Sequence, residues 1–386
     1  MHEVRAALLA GGKGERLGRL TERTIKPLVP YGGTCRLVDF SLASAHGSGI
    51  SEVVLMSLER ERALIRHVLR WWDSHAGFRV HLGPNEHLRG ADDGPGLPTR
   101  PLATRRPEFG TADALLSNEA YVFAEPVRDV LLQHADHVYL YDYGPMLADH
   151  RAHDADVTIG VQRIERRFVR LFGMVDVDRA GRVLRLVEKP AEPSSDLIFS
   201  AFAFFRADIL RAVLHELAAR PSGAWQHDIS RDLLPFMMAR EFSVRAFEVH
   251  GYWADIGTVE RYHLGHMELL DDPGLLPAGR RPHTLEHAEE PLVDGTNLIT
   301  PDCTIEGQVR STFGYAGCVV ERGAMVVRSV LMPRARVRAG VSVRDSVVLE
   351  DEVVSADRIG LATLDVDELH GSRRDYQHHT VWRSRQ

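Results

Sequence analysis

The chain has 386 residues, 44% hydrophobic and 26% charged, with a formal net charge of −7 and a pI near 6.3. That is the balance of an ordinary globular protein, long enough for two domains and a sizeable core. It offers nucleic acid or anionic membrane no electrostatic attraction, no apolar run nears the length of a membrane span, and three scattered cysteines, Cys35, Cys303 and Cys318, are too few for a disulfide framework or a zinc site.

In chain order, the first element is the apolar run from Val4 through Leu9 and Ala10. It breaks into Gly11-Gly12-Lys13-Gly14-Glu15-Arg16-Leu17, and Lys26-Pro27-Leu28-Val29-Pro30 follows ten residues after Arg16. A strand that ends in close-set glycines can bring backbone N–H groups against phosphate, because glycine tolerates the dihedrals this needs. Arg16 and Lys26 then add fixed positive charge. The pattern is neither a P-loop nor a Rossmann fingerprint. The plain alternative is a strand-to-helix turn with solvated charges. With no leader peptide ahead of this strand, a cytoplasmic location is expected.

Further strands are expected at Val53–Met56, Arg79–Leu82, Val130–Leu132, Val157–Val161, Gly173–Val177 and Ile198–Phe205, and amphipathic helices at Glu59–Trp72 and Asp208–Ala219. Such alternation predicts an α/β domain with a mainly parallel sheet. Trp71 and Trp72 read as core rather than as a stacking platform. Arg89–Pro107 lacks periodicity and reads as a long loop of the kind that often forms a lid.

Four segments line up with the opening. Gly110-Thr111-Ala112-Asp113-Ala114 leads a helix, and its small residues admit a base or ribose near the backbone. Asp136 lies just past the carboxyl end of the Val130–Leu132 strand, the edge where open α/β sheets bind ligands. Glu188-Lys189-Pro190 sets an acid beside a base, and Asp255 sits at a turn. Asp136 and Asp255 could hold Mg²⁺, which takes a few carboxylates plus substrate phosphate oxygens. Lys189 would hold a second, monoester phosphate and Glu188 would accept sugar hydroxyls. The plain readings are a helix cap for Asp136, a surface ion pair for Glu188 and Lys189, and a turn for Asp255. His134 and His137 beside Asp136 lack the further ligands of a zinc site.

Asp271–Pro291 has the composition of a linker. Beyond it, Ser329-Val330-Leu331 recurs as Ser346-Val347-Val348, which predicts a small left-handed parallel β-helix, with a β-sandwich as the alternative. The basic tail from Arg373 to Arg385 reads as a solvated end.

These residues resemble the sugar-1-phosphate nucleotidylyltransferases, and within them the glucose-1-phosphate adenylyltransferase branch. The stretches that carry the resemblance are LLAGGKGERLGRLTERTIKPLVPYGG, RLVDFSLASAHGSGI, GTADA, ADHVYLYDYGPMLADH, FGMVDVD, VEKPAEP, DISRDLLP and YWADIGTVERY. The resemblance implies a Rossmann-like nucleotidyltransferase domain over residues 1–270, a linker at 271–291, a left-handed β-helix at 292–365 and a tail at 366–386. It implies that an NTP and a sugar 1-phosphate give an NDP-sugar and pyrophosphate. Arg16, Lys26 and Asp136 fall at catalytic positions. Leu9, Ala10, Gly11, Gly12, Gly14, Gly110, Thr111 and Asp113 fall at nucleotide-binding positions. Glu188, Lys189, Ser200 and Asp255 fall at sugar-phosphate positions, and Asp136 with Asp255 at the Mg²⁺ site. A homodimer or homotetramer is expected, with no nucleic-acid or membrane partner.

The departures are local. Ala135-Asp136-His137 stands where the family has Gly-Asp-His, and Pro107-Glu108-Phe109 precedes GTADA in place of aromatic and basic residues. Phe199-Ser200-Ala201 replaces a glucose-contacting Ser-Met-Gly. The N-terminal extension that helps bind sugar-bisphosphate activators is missing, so that control is not expected. Relatives in aminocyclitol pathways, which act on valienol-type cyclitol 1-phosphates with GTP or ATP, fit these changes as the alternative. A non-catalytic partner subunit is a further alternative, disfavoured because Arg16, Lys26 and both aspartates are retained. An acyltransferase would need longer repeats.

Overall fold

The structure is a computed structural model that describes residues 3–11, 14–22, 24–57, 61–83, 109–221, 223–286 and 289–361. Gly12, Lys13, the expected lid Arg89–Pro107 and the basic tail lie outside the described residues.

The opening strand β1 (Val4–Leu9) has six buried residues in a row. It is central, because β2 (Glu52–Met56) and β4 (Asp129–His134) both pair with it in parallel. Strands covered on both faces read as continuous apolar runs, which explains the sequence VRAALL. Its one charge, Arg5, is buried and paired with Glu52. β3 (Arg79–His81) extends this parallel half beyond β2.

The other half turns antiparallel. β5 (Val157–Arg163), β6 (Gly173–Val177), β7 (Val183–Glu188) and the ten-residue β8 (Leu197–Arg206) follow in the chain. β8 runs antiparallel to β4, β5 and β6, giving the order β7-β6-β8-β4-β1-β2-β3. β5 flanks β8 on its other side and pairs in parallel with β9 (Val244–Glu248). β9 has no counterpart among the expected strands. A bulge between Phe199 and Ala203 shifts the β5–β8 register, and Ala201 sits there at φ 61°.

Helices α1 (Leu37–Gly47), α2 (Glu61–Trp71), α3 (Thr111–Ser117), α4 (Gly144–Ala152), α5 (Ala207–Ala218) and α6 (Val259–Asp271) cover the sheet and lead out of it. Trp72 is buried, as its helix pattern predicts. Asp39 of α1 ties three segments together. It accepts hydrogen bonds from Arg36 N–H at 2.7 Å, Trp72 Nε1 at 2.8 Å, His67 Nε2 at 2.8 Å and the Thr284 hydroxyl at 2.5 Å. Burial pushes this carboxyl up, but His67 and the other donors outweigh it and hold it below the ordinary value of 3.8. Asp39→Ala is expected to cost about 3–5 kcal/mol, because it leaves buried donors unpaired. A group lowered on folding stabilises above its unfolded pKa and loses that contribution as pH falls below it. Urea titrations at pH 7 and pH 3.5 would show both effects; a midpoint within experimental error of the wild type would refute them.

After α6 the chain winds into three short-stranded parallel sheets, the signature of a parallel β-helix. Phe313 pairs with Val330 and Val330 with Val347, Val320 with Val337 and Val337 with Val354, and Val326 with Val343. The recurring hydroxyl before each corner strand has a physical role. Ser311, Arg328 and Asp345 take positive φ, and the next side chain, Thr312, Ser329 or Ser346, donates to the carbonyl two residues back. Those hydroxyls are buried, so each needs this internal acceptor. Helix α6 docks on the corner sheet. His263 Nε2 lies 2.7 Å from Arg328 O and His266 Nε2 lies 2.6 Å from the Tyr315 hydroxyl. Burial drives His266 down to about 3, so it docks uncharged. Among the described residues no helix is long and apolar enough to cross a membrane.

Candidate active site

Register sets the site at the carboxyl edge of the parallel half. Leu9 lies opposite both Met56 and His134, and the next residues stay joined: Ala10 N–H donates to Met56 O at 2.7 Å and Ala135 N–H to Leu9 O at 2.9 Å. A cavity of about 320 Å³ opens there. Leu9, Ala10 and Gly11 form one wall, Lys26 and Pro27 a second, Phe109, Gly110 and Thr111 a third, and His134, Ala135 and Asp136 the floor. Segments far apart in sequence thus converge on one space.

Two glycines are required by this geometry. Gly14 takes φ 69°, and a Cβ there would lie 3.0 Å from Lys26 Cβ, so its turn packs directly on the lysine stem. Gly110 sits where a Cβ would lie 2.3 Å from His227 O, closer than any real contact. Arg16 is exposed, on the turn of 3-10 helix Glu15–Thr21 that leaves Gly14.

Lys26 is buried and its ammonium lies between the two aspartates. Nζ donates to Asp136 Oδ2 at 2.6 Å and lies 3.9 Å from Asp255 Oδ1. Asp255 reaches this point because Ala254–Asp255 pairs antiparallel with His137–Val138, and Arg261 ion-pairs with its other oxygen. His137 Nδ1 stands 3.0 Å from Asp136 Oδ1, and among the described residues that oxygen is buried without a hydrogen bond. Burial raises the Asp136 carboxyl, but the Lys26 ammonium and then His137 outweigh it and hold it well below the ordinary carboxylate range. Burial holds the neighbouring His134 down to about 4, hence neutral.

This donor set suits a hard divalent cation. Two carboxylates converge on the Lys26 ammonium, and among the described residues one oxygen, Asp136 Oδ1, accepts no hydrogen bond. Among the described residues no group of three or more His, Cys, Asp or Glu is placed to ligate a metal ion.

Of the expected sugar-phosphate residues, Asp255 sits with Lys26 and Asp136, whereas Glu188, Lys189 and Ser200 are reached through Trp253 and Phe172. The Trp253 ring stacks on His137 with centroids 5.2 Å apart, packs edge-on against Phe172 and donates Nε1–H to Ser200 O at 3.2 Å. Lys189 N–H donates to Phe172 O at 2.9 Å, and Lys189 Nζ lies 3.6 Å from Glu188 Oε1 with its side chain half exposed. Ser200 Oγ is buried and has no hydrogen-bond partner among the described residues. Phe199 packs into the hydrophobic core between sheet and helices, so its ring is spent on packing, while Ala201 keeps partial exposure. Asp113 lies beneath the cavity rather than in it: its carboxylate accepts Phe109 N–H at 3.1 Å and faces His227 Nδ1 at 3.8 Å. Its place is in anchoring the GTADA turn. Sequence reasoning did not single out Trp253, Phe172, Arg261 or His227; the Trp253-Ala254-Asp255 adjacency was the signal for the first.

Comparison with known proteins gives a consistent answer. The nucleotidyl transferase family profile matches residues 5–272. The chain is 44% identical over 331 residues to valienol-1-phosphate guanylyltransferase of Streptomyces hygroscopicus subsp. limoneus, covering 82% of this chain and 87% of that protein. It is 36% identical to glucose-1-phosphate adenylyltransferase of Thermomicrobium roseum, over 78% of this chain and 68% of that one. It is 29% identical to the enzyme of the same name from Halalkalibacterium halodurans, over 82% of each. An α/β sheet with a cavity of about 320 Å³ at its carboxyl edge, a lysine between two aspartates and a following β-helix therefore have a common explanation: the chain belongs to the nucleotidyl transferase family, as a sugar-1-phosphate nucleotidyltransferase of the EC 2.7.7 type.

Proposed function

We propose that the chain transfers a nucleotidyl group from an NTP to a hexose or pseudo-sugar 1-phosphate. The acceptor's phosphate oxygen attacks the α-phosphorus in line, the bond to the β-phosphate oxygen breaks, and pyrophosphate leaves. Gly11 and Gly14 present N–H groups to the triphosphate, with Arg16 and Lys26 as its cations. Leu9, Ala10, Gly110 and Thr111 bound the nucleoside, and Asp113 fixes the turn under it. Lys189 holds the acceptor phosphate while Glu188 and Ser200 meet its hydroxyls. Asp136 and Asp255 would hold Mg²⁺, which supplies charge neutralisation at the reacting phosphate. Little covalent chemistry falls to the protein, so positioning and electrostatics carry the rate.

The observation that carries this reading is the Lys26 ammonium set between two carboxylates at the mouth of the cavity. The first reading of specificity is adenylyl transfer to glucose 1-phosphate. Guanylyl transfer to a valienol-type cyclitol 1-phosphate is the second, favoured by the 44% identity to an enzyme of that name. Pyrophosphate release with four NTPs against a panel of sugar and cyclitol 1-phosphates tests both. Silence across the whole panel with Mg²⁺ present would overturn the proposal. Lys189→Ala is expected to raise the acceptor KM by roughly 10–100-fold with a much smaller change in kcat, the mark of lost ground-state binding. Steady-state kinetics at saturating NTP would check it, and an unchanged KM would remove Lys189 from the acceptor site.

A further inference from the structure

Cys303 and Cys318 are 15 residues apart in sequence, yet they are neighbours on adjacent coils of the β-helix. Thr304 pairs with Val319, and Thr304 N–H donates to Cys318 O at 2.9 Å. The residues preceding that pair therefore face each other across one rung. Cys318 is fully buried among Val320, Leu331 and Ala335, and Cys303 packs against the same cluster from a partly exposed position. The two sulfur atoms are 3.0 Å apart, with the Cys318 thiol directed at Cys303 Sγ, and the Thr300 hydroxyl lies 3.1 Å from the same atom. Both cysteines are free thiols.

The two thiols differ in a useful way. The hydrogen bond from Cys318 outweighs burial and, with that from Thr300, lowers the Cys303 thiol to about 7, whereas its bond to Cys303, together with burial, raises Cys318. One cysteine is accessible and ionisable near neutrality, and the other is sheltered directly behind it. That is the division between an attacking and a resolving thiol. Neighbouring strands in a ladder lie about 4.8 Å apart, inside the Cα separation a disulfide spans. Only the sulfurs need to close, to about 2.05 Å.

We propose that Cys303 and Cys318 form a reversible dithiol–disulfide pair, oxidised by small-molecule disulfides, that cross-links the first two coils of the β-helix. The Cys303 thiolate attacks one sulfur of the small disulfide, forms a mixed disulfide and expels one thiolate. Cys318 then gives up its proton and attacks Cys303 Sγ, expelling the second. Two protein thiols are oxidised by two electrons while one small disulfide becomes two thiols. The closed bond also withdraws the Cys303 thiol from Tyr315 O, which it contacts at 3.0 Å. This inference is independent of the nucleotidyl-transfer reading. Cys35, fully buried with its thiol raised by burial, serves as an internal control.

The test uses the full-length chain, reduced, desalted and exposed to oxidised glutathione at pH 7. Expected are a loss of two hydrogens (about 2 Da) in the intact mass, a peptide pair joined through Cys303 and Cys318, and reversal by dithiothreitol. Cys318→Ser should stop at glutathione on Cys303, and Cys303→Ser should react at least about tenfold more slowly than the wild type. An unchanged mass, a wild-type product that stops at the mixed disulfide, or a cross-link to Cys35 would each overturn the proposal. The peptide map on the unmutated chain decides the matter even if a serine variant folds poorly.

Discussion

Asp136→Ala should lower kcat/KM for pyrophosphate release on the order of 10³-fold or more while leaving the circular dichroism spectrum intact. Charge neutralisation is the main contribution a protein makes to phosphoryl-type transfer, and losing one such element typically has this size of effect. Asp136 is held well below the ordinary carboxylate range by Lys26 and then His137, against burial, and among the described residues one of its oxygens accepts no hydrogen bond. The variant also frees the Lys26 ammonium from its 2.6 Å partner. Asp136→Asn separates the two consequences, since it keeps shape and removes only charge. Turnover within tenfold of the wild type in either variant would take Asp136 out of the chemistry.

Lys26→Ala should be comparably damaging to catalysis, again on the order of 10³-fold, but opposite in its effect on cations. With the side chain in place, its ammonium already neutralises Asp136 at 2.6 Å and approaches Asp255 at 3.9 Å. An incoming divalent ion must compete with it until triphosphate draws the lysine away. Removing the lysine leaves Asp136 without its ammonium partner and Asp255 with Arg261 alone, so Mn²⁺ alone should stabilise the variant more than the wild type. The stabilisation follows the ratio of ion concentration to dissociation constant. Thermal melts with and without Mn²⁺, without nucleotide, read this directly; an equal or smaller shift in the variant would contradict it.

Much of this arrangement was legible in the residues. β1 could be read because a strand sandwiched by parallel neighbours is apolar along its whole length, and the glycines marked its end. The β-helix showed through Ser329 and Ser346, whose burial at equivalent corners forces a hydroxyl into each repeat. Residues 1–270 also contain β9, whose Val-Arg-Ala-Phe-Glu alternates in the manner of a half-covered strand and was not expected; its pairing with β5 and the bridge from Arg245 to Arg182 define it. Phe199 was expected among the residues that alter the acceptor site, but strand alternation sets it on the same core face as Leu197. The Asp39 junction and the Cys303–Cys318 contact were hidden for another reason. Their partners come from separate segments, and no local periodicity records a tertiary meeting.

The second aspartate has a distant anchor. Only Ile256, Gly257 and Thr258 separate Asp255 from α6, the Thr258 hydroxyl caps that helix by accepting Arg261 N–H, and the helix is bolted to the coils at Arg328 and Tyr315. Among the described residues the coiled C-terminal portion contributes no group to the cavity, yet it fixes the axis from which the Asp255 carboxylate hangs. Loosening those coils would be felt as slackness in cation grip forty or more residues upstream, an inheritance passed along one rigid rod.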